Sequence, residues 1–125
     1  MKAGRYRDRG AVDVSVQMLF GSVAVLFALL LVFEAVAFWH ARNVFDEAAA
    51  EGARVAAAYD GTCDDGVAAA RAMVGRMAGS WAEQVDVVCT DAEMVTVTVT
   101  GHTPGVVGDA LGFEVSVAES APREK

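Results

Sequence analysis

The chain has 125 residues and a formal charge of −7 from 10 Lys+Arg against 17 Asp+Glu; 54% of it is hydrophobic although only 8% is aromatic. That composition excludes a disordered chain and leaves room for one small domain. The charge is divided: residues 1–10 carry Lys2, Arg5, Arg7 and Arg9 against Asp8, while 6 basic and 16 acidic residues follow, which argues against a nucleic-acid binder.

The basic leader gives way to an apolar run. From Met18 to Phe33 no residue is charged, and from Val14 to Phe33 only Ser15, Gln17 and Ser22 are polar. At about 1.5 Å rise per residue these positions span roughly 30 Å, the thickness of a bilayer core. A single transmembrane helix over 11–39 is expected, with the N-terminus cytoplasmic because the basic residues precede the segment. A secretory signal peptide cut after Ala35-Val36-Ala37 is the rival reading, but the apolar run exceeds the 7–15 residues typical of a signal core and Glu34 interrupts the approach to the cut. Glu34 is the ionisable group near the outer end of the span. It either snorkels to the interface beside Trp39 and His40, or pairs with a cationic group on a neighbouring helix.

Residues 40–59 contain no proline, and Asp46 to Ala58 is a strongly helix-forming stretch, so the membrane helix is expected to continue as a stem to about Tyr59. Ala48, Gly52 and Ala56, flanked by Ala49, Ala53 and Ala57, form a small-residue ridge that lets another helix approach closely. Such a ridge suits packing either on the chain's own globular part or on another subunit. Asp60 to Gly66 signals a turn and a helix start with an aspartate available as N-cap. Its acids lack the alternating oxygen ligands and closing glutamate of a calcium loop. Val67, Ala70, Val74, Met77, Ala78 and Trp81 then share one helical face.

Val85 to Cys89 reads as a short strand. Glu93 to Thr100 alternates Val95, Val97 and Val99 with Thr96, Thr98 and Thr100, and Phe113, Val115 and Val117 repeat the period. A short helix is allowed between the last two strands, around Val107 to Leu111. Three antiparallel strands over an amphipathic helix make a small α+β head over 60–119, followed by a tail at 120–125. Cys63 and Cys89 are expected to form a disulfide in the part assigned to the outside. The spacing of a catalytic dithiol is missing, as is a nearby base to activate either thiol.

No phosphate loop, catalytic triad pattern or metal-ligand cluster is recognisable; His40 and His102 belong to no ligand-spaced group, and no catalytic, cofactor-binding or metal-binding residue is assigned. The expectation is a protein that is not an enzyme and acts through interfaces. Arg9-Gly10-Ala11-Val12, the apolar segment, Phe33-Glu34-Ala35, the stretch Ala48 to Ala58, and the strands Val95 to Thr100 and Phe113 to Ala118 together resemble the TadE-like proteins. These are minor pilins or pseudopilins of the tight-adherence (Flp, type IVc) pilus system, and the composition is similar to that of actinobacterial members. The resemblance implies other pilins or pseudopilins and the pilus assembly platform as partners, beside the membrane, with Glu34, Ala48, Gly52 and Ala56 as candidate helix contacts. It also implies cleavage between Gly10 and Ala11 by a prepilin peptidase. The glutamate that related pilins carry five residues after the cut falls here at Ser15, and the nearby carboxylate is Asp13. A signal-anchored extracytoplasmic binding module with no pilus role is the alternative function.

Overall fold

The structure, a computed structural model, describes residues 2–82, 84–103 and 113–124, with side chains described from Val12 onward apart from Ser80. In chain order it contains helix α1 (Lys2–Ala57), helix α2 (Cys63–Ala78), a single 3-10 turn (Gly79–Ala82), and strands β1 (Asp86–Asp91), β2 (Met94–His102) and β3 (Glu114–Pro122). The fold class is α+β, and it divides into two compact units, Met1–Phe33 and Glu34–Lys125.

The first unit is helix alone. Its long apolar side chains, among them Leu19, Phe20, Leu26, Phe27 and Phe33, are exposed apart from the half-buried Leu30. Nothing in water would hold such a surface open, because each large apolar side chain left exposed forfeits about 1.5–3 kcal/mol of burial. The sequence pattern explains the helix: no proline and only one glycine, Gly21, occurs between Ala11 and Phe33.

The second unit is the head, and its core begins on α1 itself. Ala37, Ala41, Val44, Phe45, Ala48, Ala49, Gly52, Ala53, Ala56 and Ala57 are buried, at steps of three and four that trace one face of a helix. Arg42, Asn43, Asp46, Glu47, Ala50 and Arg54 lie on the exposed side. The helix stops at Ala57, two residues short of the expected Tyr59; the Gly61 N–H donates to the Ala58 carbonyl at 2.8 Å and closes the turn that follows.

Helix α2 starts at a reciprocal cap. The Asp65 N–H donates to the Thr62 hydroxyl at 3.2 Å, and the Thr62 N–H donates to the Asp65 carboxylate at 3.3 Å. The N-cap is therefore Thr62 rather than an aspartate, and Asp65 supplies the returning carboxylate. The α2 face buries Gly66, Ala70 and Val74 and half-buries Val67, Ala78 and Trp81. Met77, expected on that face, is exposed, because it stands to the side of the packed line Ala70, Val74 and Ala78.

The sheet is an antiparallel meander in the order β1-β2-β3. Register sets Val87 opposite Val99, Cys89 opposite Val97, Val99 opposite Val117 and Gly101 opposite Val115, so these valines share the face toward the helices while Val88 points outward. Val95, Val97 and Val99 are fully buried. On the other face Thr96 pairs its hydroxyl with Ser120 at 2.7 Å and Thr100 with Ser116 at 2.9 Å. This pairing carries β3 to Pro122, so Ser120 to Pro122 belong to the sheet rather than to a tail. The last described residues are tied down as well: Arg123 makes a two-pronged ion pair with Asp91 at 2.6 and 2.9 Å, and the Glu124 N–H donates to the Ala57 carbonyl at 2.8 Å. Phe113 precedes β3 and is exposed instead of extending the inward-facing series; the possible helix around Val107 to Leu111 lies outside the described residues.

Candidate functional site

Three features of the chain can carry function: the apolar helix, the ridge of small residues, and the covalent tie that fixes the head. Among the described residues one helix is long and apolar enough to cross a membrane, and none of its apolar stretch is buried. Glu34 closes this stretch and is half-buried. Gly10 and Ala11 lie in the helical backbone, and the side-chain surroundings there are outside the described residues.

The small-residue ridge packs within the head. A Cβ added at Gly52 would sit 2.9 Å from the Gly66 carbonyl oxygen, 3.1 Å from the Ala70 Cβ and 3.2 Å from a Val97 methyl. A Cβ at Gly66 would in turn meet the Ala56 Cβ and the Gly52 carbonyl oxygen, both at 2.6 Å. Helix α1 therefore crosses α2 backbone against backbone, with β2 directly beneath. Large residues at these positions would force the two helices apart. Ala48, Gly52 and Ala56 are buried here. A second constriction lies nearer the start of the head, where the Phe45 ring covers Gly101: a Cβ there would come within 2.8 Å of its Cζ. Trp81 packs on Phe45 with ring centroids 5.9 Å apart and on His40 at 6.2 Å.

Cys63 and Cys89 are bonded, with an S–S distance of 2.06 Å and a Cα–Cα distance of 5.6 Å. The bond joins the first turn of α2 to β1. Bridging residues 26 apart contributes about 3.5 kcal/mol if it acts by restricting the unfolded chain. The chain matches no family model, no curated protein and no solved structure.

Electrostatic features in the head are few and exposed. Arg54 grips Glu51 through two nitrogens at 2.6 and 2.8 Å; this hydrogen-bonded pair lowers the Glu51 carboxyl below the ordinary carboxylate value and raises the Arg54 guanidinium. Asp91 raises the Arg123 guanidinium in the same way. The unexpected contact joins Asp46 on α1 and Glu119 on β3. Hydrogen bonding to Asp46 and the repulsion of its charge raise the Glu119 carboxyl. No sequence pattern announces this pair, because its members are far apart in the chain and meet only when α1 lies over β3. No group of three or more metal-ligating side chains occurs among the described residues. The geometry offers an exposed apolar helix of membrane-crossing length and a disulfide-tied head.

Proposed function

We propose that the chain is a membrane-anchored minor pilin or pseudopilin that takes part in assembly of a tight-adherence (Flp, type IVc) pilus or a related secretion apparatus. The observation that carries this reading is a membrane-length apolar helix whose continuation forms the core of a small α+β head closed by a disulfide. The resemblance at Glu34 and through Ala48 to Ala58 gives that architecture its family. The chain sits in the bacterial cytoplasmic membrane with its N-terminus inside, supported by the four basic residues among the first ten, and its head outside, supported by the disulfide.

Because the small-residue ridge is spent on the head's own core, contact with other pilins and with the assembly platform falls to the exposed apolar surface between Val12 and Val36 and to Glu34 beside it. In a bilayer such association depends on packing and on polar contacts between helices. Gly10 and Ala11 mark the place where a prepilin peptidase would cut.

Ser15, standing where related pilins carry a glutamate, favours a second reading as a signal-anchored binding module outside the pilus. Two measurements separate these functions. Intact mass of the mature protein reports cleavage: loss of the first ten residues supports pilin processing, and a chain beginning at Phe38 would refute the anchored reading. Purification in mild detergent reports partners: recovery of other pilins or platform proteins is expected, and their absence with a full complement of the protein favours the binding module.

A further inference from the structure

Helix α2 ends at Gly79, whose φ of +68° is one that favours glycine and whose N–H donates to the Gly75 carbonyl. The chain then doubles back through the 3-10 turn, which sets the buried Ala82 and Val85 beside the buried Val74. Between them lies a half-open groove of about 210 Å³, lined by Arg71, Val74, Gly75, Gly79, Ala82 and Val85. An apolar cavity of about 150 Å³ takes benzene, so this groove has room for a side chain of four to six carbons.

The lining divides by chemistry. Val74, Ala82 and Val85 make an aliphatic floor, and the two glycines present bare backbone, since a Cβ at either would meet no atom within 4 Å. The backbone conformation requires glycine at 79, but Gly75 lies inside a helix, where alanine is favoured and would fit. Packing therefore does not explain Gly75, whereas an open groove does. One charge stands on the lining. The Arg71 Nη1 donates to the Val85 carbonyl at 2.9 Å, which fixes the guanidinium and leaves it further N–H donors. Arg54 and Arg123 hold the carboxylates of Glu51 and Asp91, but the partner of Arg71 is a backbone carbonyl. Asp86, which follows Val85, alternates to the opposite face of the sheet. The acidic surplus elsewhere on the head is screened by salt within about 8–10 Å, while the guanidinium acts at contact.

We propose that this groove binds the C-terminal residue of a peptide chain ending in an aliphatic side chain. The side chain rests on Val74, Ala82 and Val85, and the terminal carboxylate accepts charge-assisted hydrogen bonds from the Arg71 guanidinium. The half-open mouth lets the preceding residues of the peptide leave toward solvent. A planar guanidinium suits this acceptor better than an ammonium would, because two parallel N–H groups can meet the two carboxylate oxygens. The proposal concerns the head alone and rests on neither the membrane nor the pilus.

Amide NMR of the isotope-labelled full chain in mild detergent tests it, with acetyl-alanyl-valine added as the free acid or as the C-terminal amide. The acid is expected to shift the Gly75 and Gly79 amide signals and the Arg71 side-chain N–H to a plateau, and the amide to bind at least about tenfold more weakly. Gly75→Leu puts a side chain into the open space and should abolish the shift at Gly79 with a melting temperature no lower than that of the wild type. Arg71→Gln should reduce the affinity for the acid to that for the amide. Acid and amide binding alike, no saturable shift with either, or full binding by a folded Gly75→Leu protein overturns the proposal. Should Gly75→Leu fold poorly, Arg71→Gln and the comparison of acid with amide decide the matter by themselves.

Discussion

Replacing Gly66 by alanine places a methyl group where two helices already touch. Its Cβ would lie 2.6 Å from the Ala56 Cβ and 2.6 Å from the Gly52 carbonyl oxygen, and the second of these is backbone that cannot rotate away. Ordinary carbon contacts are about 3.5–4.0 Å, so α1 and α2 must separate by something near 1 Å along most of their crossing. Overpacking of this kind costs about 1–3 kcal/mol. Against it stands the gain from replacing glycine in a helix, at most about 1 kcal/mol. The net expectation is a loss of about 1–2 kcal/mol, which lowers the melting temperature of a head this size by roughly 5–15 °C. Gly75 supplies the control on the same helix: nothing lies within 4 Å of a Cβ there, so Gly75→Ala should raise the melting temperature by a few degrees. The assay is a thermal melt of the full chain in mild detergent followed by tryptophan fluorescence, in which Trp81 on Phe45 reports the head core. If Gly66→Ala melts at or above the wild type, the backbone-to-backbone crossing is not the constraint derived from it.

Four other substitutions have expected outcomes. Cys63→Ser should destabilise the head by about 2–4 kcal/mol, and reductant should then have no further effect; an unchanged melting temperature would remove the stabilising role of the bond. Glu119→Gln tests the Asp46 contact by pH. A carboxyl raised in the folded state contributes stability below its unfolded pKa and loses it as pH rises through the folded value, so the wild type carries an uncompensated repulsion at neutral pH. The variant should therefore melt higher at about pH 7 and equal the wild type at about pH 4, whereas Glu51→Gln, whose parent carboxyl is lowered, should lose stability at neutral pH and converge on the wild type in acid. On the proposed pilin role, Glu34→Gln should leave membrane insertion intact and reduce recovery of other pilins in detergent pull-downs; undiminished recovery would leave the carboxylate only an interfacial role.

The parts legible in the sequence are those that local periodicity encodes. The apolar run, the valine-threonine alternation of β2 and the amphipathic α2 each repeat with the period of the element they form, and the two cysteines left a single pairing. What could not be read depends on contacts between distant residues. Ala48, Gly52 and Ala56 announce a close approach but not the partner, and only the positions of Gly66, Ala70 and Val97 settle that the head's own helix and strand occupy it. Thr62 lost the cap to nearby aspartates in a reading by residue type, although a Thr with an acid three residues on is the signature of a capping box. Ser120 to Pro122 read as tail composition, yet β3 runs to Pro122, held in the sheet by pairing with β2 and by the hydroxyl pair of Thr96 and Ser120. Met77 fits the helical stripe by spacing but stands exposed beside the packed line of Ala70, Val74 and Ala78.

The burial of α1 from Ala37 onward has a consequence for modularity. In many anchored proteins a flexible linker joins membrane segment and domain, and either can be exchanged without touching the other. Here residues 37–57 serve as a structural wall of the head, contributing Val44, Phe45 and the small-residue crossing to its core. Transplanting the head onto a foreign anchor would succeed only if the graft point fell before Ala37, because residues 37–57 supply the helix face on which the head packs. A protease that cut anywhere between Ala41 and Ala57 would release no intact domain, since it would remove part of the fold along with the tether.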